Sequence, residues 1–258
     1  MQTARVASPS LLGLRVLRAP QWAYFVVLPL AGFLVFDPVR VTLALVAAAS
    51  CLAWSYGLNA VAERHTDASS LKNPLVGIAI VPRSVTLTLA GALAIALITA
   101  SALGLTSLAA VALSLLAGTL YSTGLRLKAW PGAGLVANTL IFVPLLVVGV
   151  QGRSLPSAFP VTLMVFTVLL LQNQVLHELA DAREDEAAGA LTTARSLGVT
   201  GTRVFIVVLA LAALPFSSVV LIPTVAAFLP FEPATRRRAH RLLSILVGAA
   251  LFASGLMP

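Results

Sequence analysis

The sequence predicts an all-α membrane protein: a polytopic bundle of nine transmembrane helices in a single domain, residues 1–258, with its N-terminus in the cytoplasm. Three observations carry this. Of the 258 residues, 59% are hydrophobic and 10% charged, where a soluble domain carries roughly 25% charge. The apolar residues fall into runs long enough to cross, or nearly cross, a bilayer. The basic residues are distributed unevenly between the connections on the two sides of those runs.

The runs are 21–36, 41–62, 84–102, 105–123, 133–151, 158–179, 202–214, 217–230 and 239–256. The seventh and eighth are short and separated by Pro215, so a single kinked helix is the alternative there. With the N-terminus inside, 15 of the 17 Lys and Arg residues fall in inner segments, and only Arg40 and Arg153 fall outside. That asymmetry follows the positive-inside rule. It explains the net charge of +8 without nucleic acid. The first run lacks a small-residue cleavage site after it, so a cleaved signal peptide is not expected. The single cysteine, Cys51, lies in an apolar run and reads as a packing residue. Connections 3–4 and 7–8 are minimal, whereas 63–83 and 180–201 read as long polar loops, the places where a compact bundle carries function.

Two polar stripes end apolar runs. Asn59, Glu63 and Asp67 are four residues apart, as are Asn173, His177, Asp181 and Asp185. Spacing of four places side chains on one helix face, about 6 Å from each to the next. Like charges so placed repel, and carboxylates at the end of an apolar span are costly unless partnered. A divalent cation between the stripes removes the penalty, and Mg²⁺ suits it because it takes one or two carboxylates and leaves room for substrate phosphates. By the charge count both stripes lie on the cytoplasmic side, where they are expected to face each other and hold Mg²⁺ against a diphosphate.

The pair resembles the two aspartate-rich motifs of the UbiA superfamily of intramembrane prenyltransferases. The first family motif, N-D-x-x-D-x-x-x-D with Arg after the middle Asp, is matched by Asn59, Glu63, Arg64 and Asp67. The second, D-x-x-x-D-x-x-x-G followed by T-x-A, is matched by Asp181, Asp185 and Gly189 with Thr192-Thr193-Ala194. Tyr121-Ser122, Arg126 and Lys128 resemble the family's Y-S-x-P-x-R-x-K segment after helix 4. Arg18-Ala19-Pro20 resembles its Arg-Pro lead into helix 1. Two departures stand out: Ala60 replaces the family's second Asp, and Glu63 replaces the middle one. Lys72-Asn73-Pro74 also differs from the commoner Arg-Pro-x-x-x-G segment.

The resemblance implies Mg²⁺-dependent transfer of a polyprenyl group from its diphosphate to an aromatic or lipid-soluble acceptor within the membrane. Two Mg²⁺ ions would be held by Glu63, Asp67, Asp181 and Asp185. Asn59, Arg64, Lys72, Arg126, Lys128, Asn173 and His177 would bind substrate, with Arg64, Arg126 and Lys128 neutralising the leaving group. Tyr121 would stabilise the allylic cation through its ring face. His177 would orient Asp181 or deprotonate an acceptor, or serve as a polar core residue. The enzyme would sit in a bacterial or archaeal cell membrane with its active site on the cytoplasmic side. The alternatives are an intramembrane terpene cyclase of the same family, or a non-catalytic lipid-binding or transport relative. Ala60 is about 100° around the helix from Asn59, so Ala60→Asp is expected to be tolerated. His65 and His240 read as solvated, Arg236 to Arg238 and Arg241 as topology anchors, and Trp22 and Trp130 as interface belt residues.

Overall fold

The computed structural model describes residues 9–67, 73–150 and 155–253, and the regular structure among them is all helical. The α-helices are α1 (Pro9–Arg15), α2 (Pro38–Ala62), α3 (Arg83–Leu103), α4 (Leu105–Ser122), α5 (Ala133–Phe142), α6 (Phe159–Ala180), α7 (Ala182–Ala187), α8 (Thr193–Ala213), α9 (Leu221–Val225) and α10 (Pro233–Ala253).

Each of the nine apolar runs carries helix, but the runs differ in kind. Among the described residues five helices are long and apolar enough to cross a membrane: α2, α3, α4, α6 and α8. Proline accounts for three of the others, because it lacks the N–H that an α-helix needs and clashes with the preceding turn. The first run is a chain of 3₁₀ turns at Ala19–Gln21, Ala23–Phe25 and Leu28–Gly32, with Pro20 and Pro29 in two of them. The fifth run is α5, tightening into a 3₁₀ turn over Val143–Val147 at Pro144. The eighth, Ser218–Phe228, is three short pieces around Pro223. The expected polar loop 180–201 is instead mostly helical. It holds α7 and the start of α8, which is broken at Gly198 where φ is +65°. Charged side chains there mark an exposed face and not an absence of helix.

Between α3 and α4 a single residue, Gly104, makes the connection at φ +118°, a conformation that side chains rarely adopt. Helix α2 packs on both α3 and α4, and α6 packs on both α8 and α10. Without a hydrophobic drive between helices in lipid, close approach has to come from small residues. Ala44, Ala47, Ala48 and Cys51 supply it on α2, all fully buried. Gly118 of α4 lies so near α2 that a Cβ there would clash with Ser55 Oγ. The Cys51 thiol donates to Ser114 Oγ at 3.1 Å. Outward-facing Ile98, Leu105, Leu116, Val208 and Leu211 are exposed apolar side chains suited to lipid. Trp22 departs from the interface-belt expectation: it is 7% exposed and its indole N–H donates to the Leu17 carbonyl at 2.5 Å. Trp130 is exposed, as an interface residue would be.

Candidate active site

The C-terminal ends of α2 and α6 face a common cavity of about 370 Å³. Asn59, Glu63 and Asp67 line it from the first stripe, and Asn173, His177, Asp181 and Asp185 from the second. Tyr121, Arg126 and Lys128 complete the sequence-predicted set on its walls. The four-residue spacing therefore brings both stripes to one place. Arg64 is the exception, since it turns back to donate to the Val61 carbonyl at 2.8 Å and is not on the cavity wall. Lys72 lies outside the described residues.

Each member of the first stripe has protein partners. Asn59 donates to Glu63 Oε2 at 2.5 Å and accepts from Ser122 Oγ at 3.1 Å. The other Glu63 oxygen pairs with the Lys128 ammonium. Asp67 Oδ2 accepts from the Asn73 amide at 2.9 Å, and the same amide reaches the Ala60 carbonyl at 2.8 Å. Asn73 is fully buried and so ties the chain beyond α2 back onto the helix end. In the second stripe His177 Nδ1 lies 3.3 Å from Asp181 Oδ2, the orienting contact expected from their spacing. Asp181 is the hinge between α6 and α7, with the Asp185 N–H donating to its carbonyl at 2.9 Å.

Lys128 sits between the stripes because two loops are tied together. The Leu191 N–H donates to the Ala129 carbonyl at 3.1 Å, and the Gly132 N–H to Thr193 Oγ1 at 3.0 Å. Burial pulls the Lys128 ammonium down to about 8; the charges of Asp185 and Asp181 oppose that pull and Arg18 adds to it. Burial likewise lowers the Arg18 guanidinium, with Asp67, Tyr56 and Asp181 opposing, although arginine stays charged at any working pH. Arg18 and Arg126 are the two non-glycine residues with positive φ among the described residues, at 55° and 46°. Both line the cavity. Backbone strain of about 1–3 kcal/mol per such residue persists where surroundings over-determine it, commonly at functional sites.

The structure adds residues that the sequence did not single out as site members. Arg18 was legible only as a lead into the first run. Glu178 is 6% exposed; its carboxylate accepts from the Ala194 N–H at 3.0 Å, docking the start of α8, and from Gln174 at 3.4 Å. Gln174 also donates to Tyr121 Oη at 3.3 Å, which fixes the hydroxyl on the cavity wall. Arg237 and Arg241, expected to be topology anchors, line the cavity. Their spacing of four was the signal available for this. His240, expected to be solvated, is fully buried. Ala60 is fully buried too, in a cluster with Val16, Leu75, Val85 and Leu89, and is not on the cavity wall. The loss of a carboxylate there leaves the cavity lining untouched, but the surroundings do not favour putting one back.

Among the described residues no three His, Cys, Asp or Glu side chains are gathered at metal-binding distance. The carboxylates share a cavity, and those of the first stripe are each held by protein donors. Beside this polar cavity runs a second one of about 650 Å³, walled mainly by apolar residues of the 24–31 segment, α6 and α10. Tyr24, Phe25, Leu170, Asn173 and Arg241 line both. A charged cavity thus adjoins an apolar one along shared walls.

Solved structures share this architecture. A UbiA homolog from Archaeoglobus fulgidus bound to DMAPP and Mg²⁺ superposes with a TM-score of 0.73 at 23% identity, covering 93% of this chain and 98% of that one. The same homolog bound to GPP and Mg²⁺ gives 0.69 at 22% identity, covering 94% and 98%. A UbiA homolog from Aeropyrum pernix K1 gives 0.67 at 15% identity, covering 93% and 98%. No curated protein matches the sequence. At these identities the likeness establishes the fold, and it is the sequence that establishes kinship. The family model described as the UbiA prenyltransferase family matches residues 21–244, most of the chain and all of both stripes, and the chain therefore belongs to that family.

Proposed function

We propose that this integral membrane protein transfers a prenyl group from a polyprenyl diphosphate to an aromatic or lipid-soluble acceptor, with Mg²⁺ as cofactor. The observation that carries the reading is the junction of the carboxylate-lined cavity with the apolar channel, which matches the two ends of a prenyl diphosphate. Glu63, Asp67, Asp181 and Asp185 are an all-oxygen donor set, the kind that suits Mg²⁺. They line one wall-to-wall space with Asn59 as a further oxygen donor, so the residues present fit the ion. Bound there, Mg²⁺ would supply charge neutralisation on the diphosphate. The A. fulgidus homolog, bound to DMAPP or GPP together with Mg²⁺, supports the choice of donor and ion.

The chain's own residues then divide the work. Arg126, Lys128 and Arg18 offer cationic donors to a diphosphate in the polar cavity, Arg as a fork and Lys as a point charge. As the bond between the first prenyl carbon and oxygen breaks, its electron pair leaves with the diphosphate. The acceptor gives an electron pair to that carbon and releases a proton. Tyr121, held by Gln174, presents its ring to the electron-poor carbon. The apolar channel excludes the water that would otherwise capture it.

The test is the protein in lipid nanodiscs given geranyl diphosphate, Mg²⁺ and a panel of acceptors, with products read by mass spectrometry and diphosphate release measured in parallel. Release is expected to stop with chelator and return with Mg²⁺ or Mn²⁺. Turnover undiminished in metal-free buffer, or no release with any prenyl diphosphate, would overturn the proposal.

The nine-span arrangement with the site facing the cytoplasm belongs to the same reading, and the basic-residue asymmetry supports it. With the buried Cys51 replaced by alanine, cysteines introduced at exposed His65 and Leu191 are expected to be labelled only from the cytoplasmic side, and one at exposed Thr106 only from the other. Labelling of 65 and 191 from opposite sides would sink it.

A further inference from the structure

Glu63 and Lys128 meet in the polar cavity, and their pairing bears on how many metal ions this chain takes. Glu63 stands where the first family motif has its middle Asp, on a side chain one methylene longer. Both of its carboxylate oxygens are engaged. Oε2 accepts from the Asn59 amide at 2.5 Å, and Oε1 pairs with the Lys128 ammonium. Asn59 is itself held, its oxygen accepting from Ser122 Oγ of α4 at 3.1 Å. The carboxylate is therefore built into a chain of contacts that runs from α4 through α2 to the lysine.

Lys128 rises from a braced turn. It lies in the 3₁₀ turn Leu127–Ala129, entered through Arg126 at φ +46°. Gly134 of α5 packs so closely on its backbone that a Cβ there would come within 3.2 Å of the Lys128 Cα. The neighbouring Ala129 carbonyl accepts from the Leu191 N–H. The ammonium ends with Glu63 beside it and with Asp181 and Asp185 within electrostatic reach. The Lys128 side chain is 20% exposed and that of Glu63 13%. Parting a pair so far withdrawn from water leaves uncompensated charge behind, which is costly.

That position is the one a metal ion would take on Glu63. A cation that bridges a protein carboxylate and a diphosphate holds the two together and offsets charge on the leaving group. An ammonium has three N–H donors, so one can serve Glu63 while the others meet phosphate oxygens. A divalent ion on the same carboxylate would stand against the ammonium and be repelled by it. Mg²⁺ also demands near-octahedral oxygen geometry, which a carboxylate committed at both oxygens is poorly placed to join. Asp67 differs, because its partner is the neutral Asn73 amide at 2.9 Å, which leaves its negative charge intact. Asp181 and Asp185 line the same cavity.

We propose that Lys128 takes the place of one of the two metal ions that the resemblance implies. Glu63 is then its counter-ion and not a metal ligand, and the chain binds a prenyl diphosphate with one Mg²⁺ on Asp67, Asp181 and Asp185. This rests on the prenyl-transfer reading and deepens it. It also gives the replacement of Asp by Glu a purpose, since the longer arm carries the carboxylate from α2 to the lysine.

The experiment uses the full chain in nanodiscs, with Mn²⁺ in place of Mg²⁺ and a non-cleavable thio analogue of geranyl diphosphate. Equilibrium dialysis counts bound Mn²⁺ and bound analogue per chain, and electron paramagnetic resonance tells an isolated Mn²⁺ from a spin-coupled pair. Wild type is expected to hold one uncoupled Mn²⁺ per analogue at saturation. Glu63→Gln keeps the side chain's size and should keep that count. Lys128→Met should bind the analogue about tenfold more weakly at low Mn²⁺ and recover to within about threefold of wild type at high Mn²⁺, as a second, coupled ion enters. Lys128→Gln replaces it if Lys128→Met does not elute and melt like wild type. Two coupled ions in wild type, falling to one in Glu63→Gln, would overturn the proposal by making Glu63 a ligand, while prenyl transfer stood. A single ion in the Lys128 variant at every Mn²⁺ concentration would overturn it too, because the ammonium would then hold no ion's place. Failure of wild type to bind the analogue at any Mn²⁺ concentration would overturn the prenyl-transfer reading itself, and this proposal with it.

Discussion

Asp181→Ala and Asp185→Ala are each expected to lower the rate of diphosphate release by at least ~100-fold, about 2.7 kcal/mol of barrier. Both carboxylates line the polar cavity opposite Glu63 and Asp67. Asp181 is oriented by His177 at 3.3 Å and forms the joint between α6 and α7. Alanine at either position removes negative charge from the space where a cation and a diphosphate would meet. Because Asp181 also shapes the chain, Asp181→Asn serves as the control that keeps the side chain's size. It should lose rate nearly as much while eluting and melting like wild type. Release from geranyl diphosphate by reconstituted protein is the measurement. A loss under threefold in a well-folded Asp185→Ala protein would remove the second stripe from the mechanism.

The second large effect is on folding. Ala60→Asp is expected to destabilise the protein severely, contrary to the tolerance that helical geometry alone suggests. The Ala60 side chain is fully buried among Val16, Leu75, Val85 and Leu89. A carboxylate introduced there has aliphatic neighbours from α1, α3 and the segment before α3, and burying an uncompensated charge costs several kcal/mol. A fall of roughly 10 °C or more in melting midpoint follows for a chain of this size. Fluorescence-detected size exclusion after heating reads it directly. Ala60→Ser, with a smaller polar burden, should lose much less. An unchanged midpoint for Ala60→Asp would show that the cluster opens to let the carboxylate reach solvent.

Ala60 illustrates what the sequence could and could not disclose. The helical character of the apolar runs was legible because hydropathy acts over many residues at once. The stripes were legible because a period of four is a local property of a helix. Orientation of a single side chain is not local. His240 is buried against Gln172, 68 residues away, a contact that no window of sequence contains. Glu178 becomes a support residue only through the Ala194 N–H, 16 residues on, and Arg237 a cavity residue only through the packing of α10 against the rest of the bundle. Charge was a double-edged guide. It marked the stripes, but it disguised α7 and the start of α8 as loop and made α10's arginines look like anchors. Proline positions, given more weight, would have foretold that the first, fifth and eighth runs are broken and not continuous α-helices.

The ties from Leu191 to Ala129 and from Gly132 to Thr193 act as a spacer bar across the mouth of the site. Helices in a bilayer tilt and slide when its thickness changes, at modest cost. Carboxylates carried only on the free ends of α2 and α6 would drift apart or together with that motion. Here the loop bearing Arg126 and Lys128 is tied to the turn that follows Asp185, so a cationic loop and one acidic stripe are joined by direct hydrogen bonds. The spacing between that loop and the second stripe is thereby set in part by two hydrogen bonds to backbone groups, Leu191 N–H to the Ala129 carbonyl and Gly132 N–H to Thr193 Oγ1.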